Sequence, residues 1–117
     1  MAHDPTPFLP LSPATLHILL SLAGEPRHGY AIMQEVARQS EGQYQLGPGT
    51  LYDNLHKLMT QELVHEGRPP ASDLDPRRRY YRLTALGRRV LEADVARLKR
   101  VVREAGAHLR VSRPRHA

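Results

Sequence analysis

The stretch Gly47-Pro48-Gly49-Thr50-Leu51-Tyr52-Asp53-Asn54-Leu55-His56-Lys57-Leu58-Met59 decides the fold. Its glycines and proline interrupt the preceding chain, and Pro48 suits the first turn of a helix, where a missing N–H is not needed. Leucines then recur at positions i, i+4 and i+7, which places them on one face of a helix. The opposite face carries polar groups that can meet a base edge or a phosphate, although an ordinary amphipathic surface helix would have the same pattern.

Helical signals before this stretch predict two further helices. Ser12-Pro13 supplies an N-cap and a proline at the first helical position, and apolar residues continue to Gly24, which ends the helix. This first helix is apolar on nearly all sides, so it should be the central one. A turn at residues 25–29 precedes a second predicted helix over residues 30–40. Three short helices with a tight connection before the third are typical of helix-turn-helix proteins.

After the third helix the pattern changes to that of a β-hairpin. Residues 63–67 and 79–83 are predicted to be strands, and the second is aromatic and alternating. The connection over residues 68–76 contains three prolines and two aspartates and is predicted to be a loop. An isolated hairpin is only marginally stable, so its apolar side must pack on the helices as the wing of a winged helix.

Thr84 is placed to cap a long fourth helix over residues 85–109. Its apolar residues are spaced by four and three, the heptad pattern of a coiled coil. This seam predicts a homodimer, unless it packs on the first helix of the same chain. Residues 110–117 are predicted to be a disordered basic tail, and residues 1–11 an extended arm. The predicted dimer interface consists of Leu91, Val95, Leu98, Val102, Ala105 and Leu109.

Charge is distributed unevenly along the 117-residue chain, whose net charge is +5. Residues 1–76 hold four Lys and Arg against nine Asp and Glu, a net charge of −5. Residues 77–117 hold thirteen against three, a net charge of +10. This asymmetry indicates a polyanionic partner that is contacted mainly by residues 77–117. A solvated basic helix would give the same distribution of charge.

Composition and motifs exclude several classes of protein. The length favours one domain, and the absence of cysteine excludes disulfide frameworks and cysteine-based metal sites. The first residues lack the features of a signal peptide, and no stretch approaches the roughly 20 apolar residues of a membrane span. Nucleophile motifs, phosphate-binding glycine loops and metal-ligand spacings of histidine are missing. We therefore expect a cytoplasmic protein that is not an enzyme and uses no cofactor or metal.

Four short motifs carry a resemblance to a known family. They are Leu11-Ser12-Pro13, His28-Gly29-Tyr30-Ala31-Ile32, Gly49-Thr50-Leu51-Tyr52 and Arg79-Tyr80-Tyr81-Arg82-Leu83-Thr84, followed by Gly87. In this order and spacing the chain resembles the PadR family of bacterial transcriptional regulators, and its single C-terminal helix resembles the smaller subfamily. The resemblance implies a winged helix-turn-helix over residues 12–84 that dimerises through its last helix and usually represses transcription.

The resemblance also implies a DNA-binding surface in three parts. The first part is the start of the second helix, with His28, Gly29 and Tyr30. The second part is the recognition helix, with Gly49, Thr50, Tyr52, Asn54 and Lys57. The third part is the wing, with Arg77, Arg78 and Arg79. From the residues alone, Asn54 and Lys57 should point away from the leucine stripe. Tyr52 either meets a sugar or phosphate or packs half-buried on the core. Glu62 stands where the family usually has glycine, so either this Glu accepts the turn or the helix ends differently.

The sequence thus predicts a mainly α-helical protein with a small β-hairpin that binds double-stranded DNA as a homodimer. Two recognition helices about 34 Å apart would read a pseudo-palindromic operator, and the protein would act as a repressor. Some members of the family bind small aromatic effectors, which implies release by such a molecule. The alternative is a winged-helix protein-interaction module that pairs with a partner helix through its heptad seam.

Overall fold

The computed structural model describes residues 4–112, with side chains through residue 110. A short 3₁₀ turn at Thr6–Phe8 precedes four α-helices and three strands. The helices are α1 (Pro13–Ser21), α2 (Gly29–Gln39), α3 (Pro48–Thr60) and α4 (Ala85–Ser112), and the strands are β1 (Arg27–His28), β2 (Val64–Gly67) and β3 (Tyr80–Leu83). The prediction of a mainly α-helical winged helix-turn-helix is confirmed.

Side-chain caps fix where three helices begin. The Ser12 hydroxyl accepts the N–H of Thr15 at 3.2 Å, directly before Pro13 at the start of α1. At the start of α2, Nδ1 of His28 accepts the N–H of Ala31 at 3.2 Å. The Thr84 hydroxyl likewise accepts the N–H of Gly87 at 2.9 Å before α4. Each cap satisfies a backbone donor that the first helical turn leaves without a partner.

The hydrophobic core lies between α1, α2, α3 and the base of α4. Ile18 and Leu19 of α1 are fully buried, and α1 contacts both α2 and α4. The leucine stripe of α3 faces this core, since Leu51, Leu55 and Leu58 are at most 2% exposed. The outer face of α3 is thereby directed away from the core, as the spacing of the leucines predicts.

The sheet has one strand more than the sequence predicts. Its order is β1-β3-β2, with both pairs antiparallel. Arg27 and His28, predicted to lie in a turn, pair with Tyr81 and Tyr80 of β3. A two-residue strand is too short to show an alternating pattern, so only the tertiary pairing reveals it. Through β1, the start of α2 is tied directly to the wing.

Two helices end on a glutamate in the left-handed conformation. Glu62 has φ 63°, and the N–H groups of Glu62 and Leu63 donate to the carbonyls of Met59 and Leu58 at 3.0 and 2.9 Å. This is the Schellman arrangement, which normally places glycine at the left-handed position. Glu41, with φ 54°, ends α2 in the same way. Glu62 therefore accepts the turn for which the family uses glycine.

We expect Glu62→Gly to raise the free energy of unfolding by about 1 kcal/mol, because glycine adopts positive φ without the steric penalty of a Cβ atom. Urea denaturation measures this difference. The matched control is Glu92→Gly, at an exposed position inside α4, where the same replacement should lower stability by roughly 0.5–1 kcal/mol. A decrease in stability for Glu62→Gly would show that the glutamate side chain makes a favourable contact at this turn.

Both ends of the described chain are more ordered than the sequence predicts. The arm contains the 3₁₀ turn, and Phe8, Leu9 and Leu11 pack against the core. Helix α4 continues to Ser112, so residues 110–112 of the predicted disordered tail are helical. The first proline after α4 begins is Pro114, which explains why the helix does not end at residue 109. Residues 1–3 of the predicted arm and 113–117 of the predicted tail lie outside the described residues.

Within residues 4–112 no helix is long and apolar enough to cross a membrane.

Candidate nucleic-acid interface

The three predicted parts of the DNA-binding surface meet around one cavity of about 350 Å³. The start of α2, the middle of α3 and the loop before β3 all contribute to its wall. The lining residues are His28, Gly29, Tyr30, Tyr52, Arg77, Arg78, Arg79 and Tyr81. Seven of these eight residues were predicted from the sequence, and Tyr81 was not. Gly49, Thr50, Asn54 and Lys57 lie outside this wall, on α3.

Tyr52 links α3 to the start of α2. A Cβ atom built on Gly29 would overlap the Tyr52 hydroxyl, so with any other residue at position 29 the Tyr52 ring would have to move. Tyr52 nevertheless keeps 46% of its surface exposed. The ring therefore packs against the backbone of α2 on one side and remains open to a ligand on the other. Tyr30 is still more open, with 63% of its surface exposed.

The outer face of α3 presents Gly49, Thr50 and Lys57 to solvent. Asn54 differs from the prediction, because it is half-buried and its side-chain N–H donates to the Thr50 carbonyl at 2.8 Å. Helical geometry places position 54 beside Leu58, at the edge of the leucine stripe rather than opposite to it. Its amide oxygen makes no hydrogen bond to another described residue and keeps its capacity to accept one.

Two further residues lie beside the predicted site residues and were not among the sequence predictions. His56 is exposed and, counted from the leucine stripe, lies near the middle of the outer face of α3. That spacing was a signal available in the sequence. Tyr81 is buried, being only 5% exposed, and its place in a strand gave no sign that it reaches the cavity between α2 and the wing.

The loop between β2 and β3 is braced by two aspartates. The carboxylate of Asp73 accepts the backbone N–H of Asp75 at 2.9 Å and the Tyr80 hydroxyl at 2.7 Å, while Asp75 accepts the N–H of Arg77 at 3.0 Å. The Asp75 N–H, and after it the Tyr80 hydroxyl, hold the pKa of Asp73 below its ordinary value of 3.8. Asp73 is therefore ionised at neutral pH, and the stabilisation from this brace is lost only as the pH falls through the lowered pKa.

Each arginine of the run 77–79 has a weakly paired carboxylate beside it. The pairs are Arg77–Asp75 at 3.4 Å, Arg78–Asp73 at 3.5 Å and Arg79–Glu66 at 3.6 Å. The three arginine side chains are 89%, 50% and 70% exposed. The long N···O distances make these pairs weak, and the exposed guanidinium groups remain available to a phosphate.

We expect Tyr80→Phe to weaken DNA binding about fivefold, because the hydrogen bond between Tyr80 and Asp73 is lost and the arginines between these two residues lose a fixed position. Removing a neutral hydroxyl takes no cation from the surface, so the dependence of affinity on salt should not change. Fluorescence anisotropy with a labelled duplex measures both quantities. Tyr44→Phe is the control, since Tyr44 packs on His17 of α1, away from the wing. Equal affinities of Tyr80→Phe and the wild type would show that the brace does not position the arginines.

The predicted dimer seam is divided by the structure. Leu91 is 5% exposed and Val95 packs on the same cluster, so the first part of the seam belongs to the core of the chain itself. This corrects the assignment of Leu91 to a dimer interface, since α1 and the base of α4 are in contact. Leu98 is half-buried and Ala105 exposed. Val102 and Leu109 are 69% and 62% exposed, and no described residue covers them.

Comparison with known proteins identifies similar chains. A family model described as "Transcriptional regulator PadR-like family" matches residues 18–93. The chain is 36% identical over 95 residues to Transcriptional regulator Rv3488 of Mycobacterium tuberculosis, covering 76% of this chain and 78% of that protein. It matches a PadR family transcription regulator from Clostridium difficile R20291 with a TM-score of 0.70 at 21% identity, covering 84% and 99% of the two chains. A PadR-like transcription factor from Bacteroides fragilis gives a TM-score of 0.64 at 28% identity, covering 82% and 88%. The resemblance carried by the four motifs is confirmed.

Proposed function

The chain belongs to the PadR-like family of transcriptional regulators, and from this premise we propose that it is a dimeric repressor that binds a specific DNA sequence. The observation that carries the proposal is the cavity at which α2, α3 and the wing meet. No carboxylate is among its lining residues, whereas three guanidinium groups are. Such a surface attracts the phosphates of a nucleic acid backbone.

The placement of the side chains indicates which of them would contact bases and which would contact phosphates. The outer face of α3 carries Thr50 and Lys57, and the free oxygen of Asn54 lies at the edge of this face; these groups can meet base edges in the major groove. The start of α2 and the arginine run lie beside α3 and would contact the flanking phosphates. Phosphate contacts fix the register of the protein, and base contacts select the sequence.

Fluorescence anisotropy of a labelled random-sequence duplex tests the binding itself. We expect the protein to bind the duplex at low salt. The logarithm of the affinity should fall linearly with the logarithm of the salt concentration, with a slope of about 0.9 per contacted phosphate. Folded protein that fails to bind any duplex at low salt would contradict the proposed function.

The exposed end of α4 supports a homodimer. Val101, Val102 and Leu109 each expose more than half of their surface on a helix of 28 residues that extends beyond the core. Pairing of two such helices would bury these side chains and set the distance between two α3 helices. We therefore narrow the proposed interface to the part of the seam from Leu98 onward.

Analytical ultracentrifugation tests the proposed dimer. The wild type should sediment as a dimer at micromolar concentration, and Val102→Glu should shift it to monomer, because the charge would be buried in the seam. Ala107→Glu adds the same charge to an exposed position on another face of α4 and should leave the dimer intact. A monomeric wild type would favour the alternative function, in which the seam pairs with a helix of another protein.

Repression and effector release are the finer parts of the proposal. A dimer bound to a promoter excludes other proteins from the same DNA, so transcription in vitro from a promoter containing the selected site should fall as protein is added.

A groove of about 760 Å³ between the end of α3, β2 and the start of α4 has the size of a small-molecule site. A panel of phenolics and planar cations tests for an effector, and unchanged melting temperature and DNA affinity throughout would exclude release by these classes. A regulator of this kind acts in the cytoplasm, where the DNA is.

A further inference from the structure

Tyr81 is the one buried side chain in the wall of the cavity between α2, α3 and the wing whose polar atom is unused. It is 5% exposed, and its hydroxyl makes no hydrogen bond to any residue in the described part of the chain. Burial, more than the nearby Glu66 carboxylate, raises the pKa of Tyr81 above its ordinary value of 10.0. The phenol is therefore protonated at neutral pH and carries an O–H donor without a partner. Its oxygen is not among the fully enclosed side-chain polar atoms that lack a partner, so the hydroxyl opens onto the cavity, where a ligand can reach it.

Apart from the Glu66 carboxylate, the groups near this hydroxyl are suited to an anion. Tyr52 and Arg79 are close enough to influence Tyr81 electrostatically, and both line the same cavity. The helix α2, eleven residues long, begins at this wall and directs the positive end of its dipole there. The Glu66 carboxylate lies nearby but is not part of the wall. The cavity thus combines cations, a helix N-terminus and a neutral donor at the tip of a buried side chain.

We propose that this cavity holds a single phosphate group of the DNA backbone and that the Tyr81 hydroxyl donates a hydrogen bond to it, alongside Tyr52 and Arg79. The inference rests on the proposed DNA-binding function and assigns one of its contacts. A phosphate seated between α2 and the wing fixes the angle at which α3 enters the neighbouring groove. Tyr81 would accordingly influence affinity without contacting a base.

Tyr81→Phe tests this contact, because the ring still fills the core and only the hydroxyl is removed. We expect about a tenfold loss of affinity for a random-sequence duplex, since a hydrogen bond to a charged group is lost. The salt dependence and the melting temperature should match those of the wild type, because no cation and no packing is removed. Tyr44→Phe removes a hydroxyl outside the cavity and should bind as the wild type does. Wild-type affinity for Tyr81→Phe would overturn the proposal while leaving the DNA-binding function in place.

A second measurement identifies the source of the phosphate. NMR of protein with ¹³C-labelled tyrosine follows the Tyr81 ring during titration with the duplex and, separately, with inorganic phosphate. A shift with the duplex that millimolar phosphate neither produces nor reverses supports a backbone phosphate. A Tyr81 shift with inorganic phosphate that competes with DNA would instead make the cavity a free-phosphate site and overturn the assignment. Absence of any Tyr81 shift when the duplex is bound would overturn it as well. If no duplex binds, the proposed function fails, and the phosphate titration still reports on the cavity.

Discussion

Replacing Gly87 with valine is expected to lower the free energy of unfolding by more than about 3 kcal/mol. Gly87 is buried near the start of α4, and a Cβ atom there would overlap the carbonyl oxygen of Leu63. That oxygen is backbone and already accepts the N–H of Thr84 at 3.1 Å, so it has no room to yield. The Thr84 hydroxyl in turn donates to the carbonyl of Glu62 at 2.6 Å.

The end of α3, the start of β2 and the start of α4 are therefore locked together at this junction. Since α4 carries the proposed dimer seam and α3 the proposed recognition surface, this junction would also set how two α3 helices are placed relative to each other in a dimer. Gly87→Ala is a smaller change, and this variant can fold if α4 moves away from β2. We then expect the variant to bind DNA with an affinity different from that of the wild type. Urea denaturation and anisotropy on the same preparations separate the two effects.

Gly106→Ala is the matched control in the same helix. Its new Cβ atom would meet only a flexible arginine end, the Arg110 guanidinium at 3.6 Å. Alanine favours helix over glycine by about 1 kcal/mol, so this variant should be more stable than the wild type. A loss of less than about 1 kcal/mol for Gly87→Val would contradict the close packing of α4 on β2.

Removing the arginine run has the largest expected effect on DNA binding. The variant with Ala at positions 77, 78 and 79 should lose about 100-fold or more in affinity near 0.1 M salt. Each lost phosphate contact should also reduce the salt slope by about 0.9, so the slope should fall by nearly 3. Stability should change little, because these side chains are half to nine-tenths exposed, their ion pairs are long, and Asp73 keeps its hydrogen bonds to Asp75 and Tyr80.

The control for this variant removes the same charge from another region. Lys99, Arg100 and Arg103 are exposed on α4, away from the cavity, and their replacement by Ala gives the same net charge. If net charge alone governed binding, both triple variants would lose affinity equally. That result would contradict the placement of the phosphate-binding surface at the wing.

Local patterns in the sequence were sufficient for most of the fold. The Ser12-Pro13 start, the leucine stripe of α3 and the alternating strand before Thr84 depend on neighbours a few residues apart, and the structure has helices and strands at these places. The strand β1 was missed because its only evidence is pairing with β3, more than fifty residues later. Glu62 shows the same limit, since the left-handed turn is dictated by the packing of Leu63 and not by the preference of glutamate.

The candidate site was also predictable only where local patterns in the sequence indicate it. Residues on the surface of α2, α3 and the wing follow from motif and helical spacing, and seven of them line one cavity. Tyr81 did not follow, because a buried strand residue is expected to serve the core. Leu91 was assigned to a dimer because heptad spacing does not distinguish a helix of the same chain from a helix of a second copy.

In vitro selection of bound sites from a random duplex library, run in parallel on the wild type and on Lys57→Ala, tests the central claim most directly. The account predicts a palindromic motif for the wild type with half-site centres about 10 bp apart, as expected for two α3 helices in successive major grooves. For Lys57→Ala it predicts the same spacing with a relaxed preference at one position in each half-site. Salt-sensitive binding without any enriched motif, or an identical motif for both proteins, would contradict sequence reading by the outer face of α3.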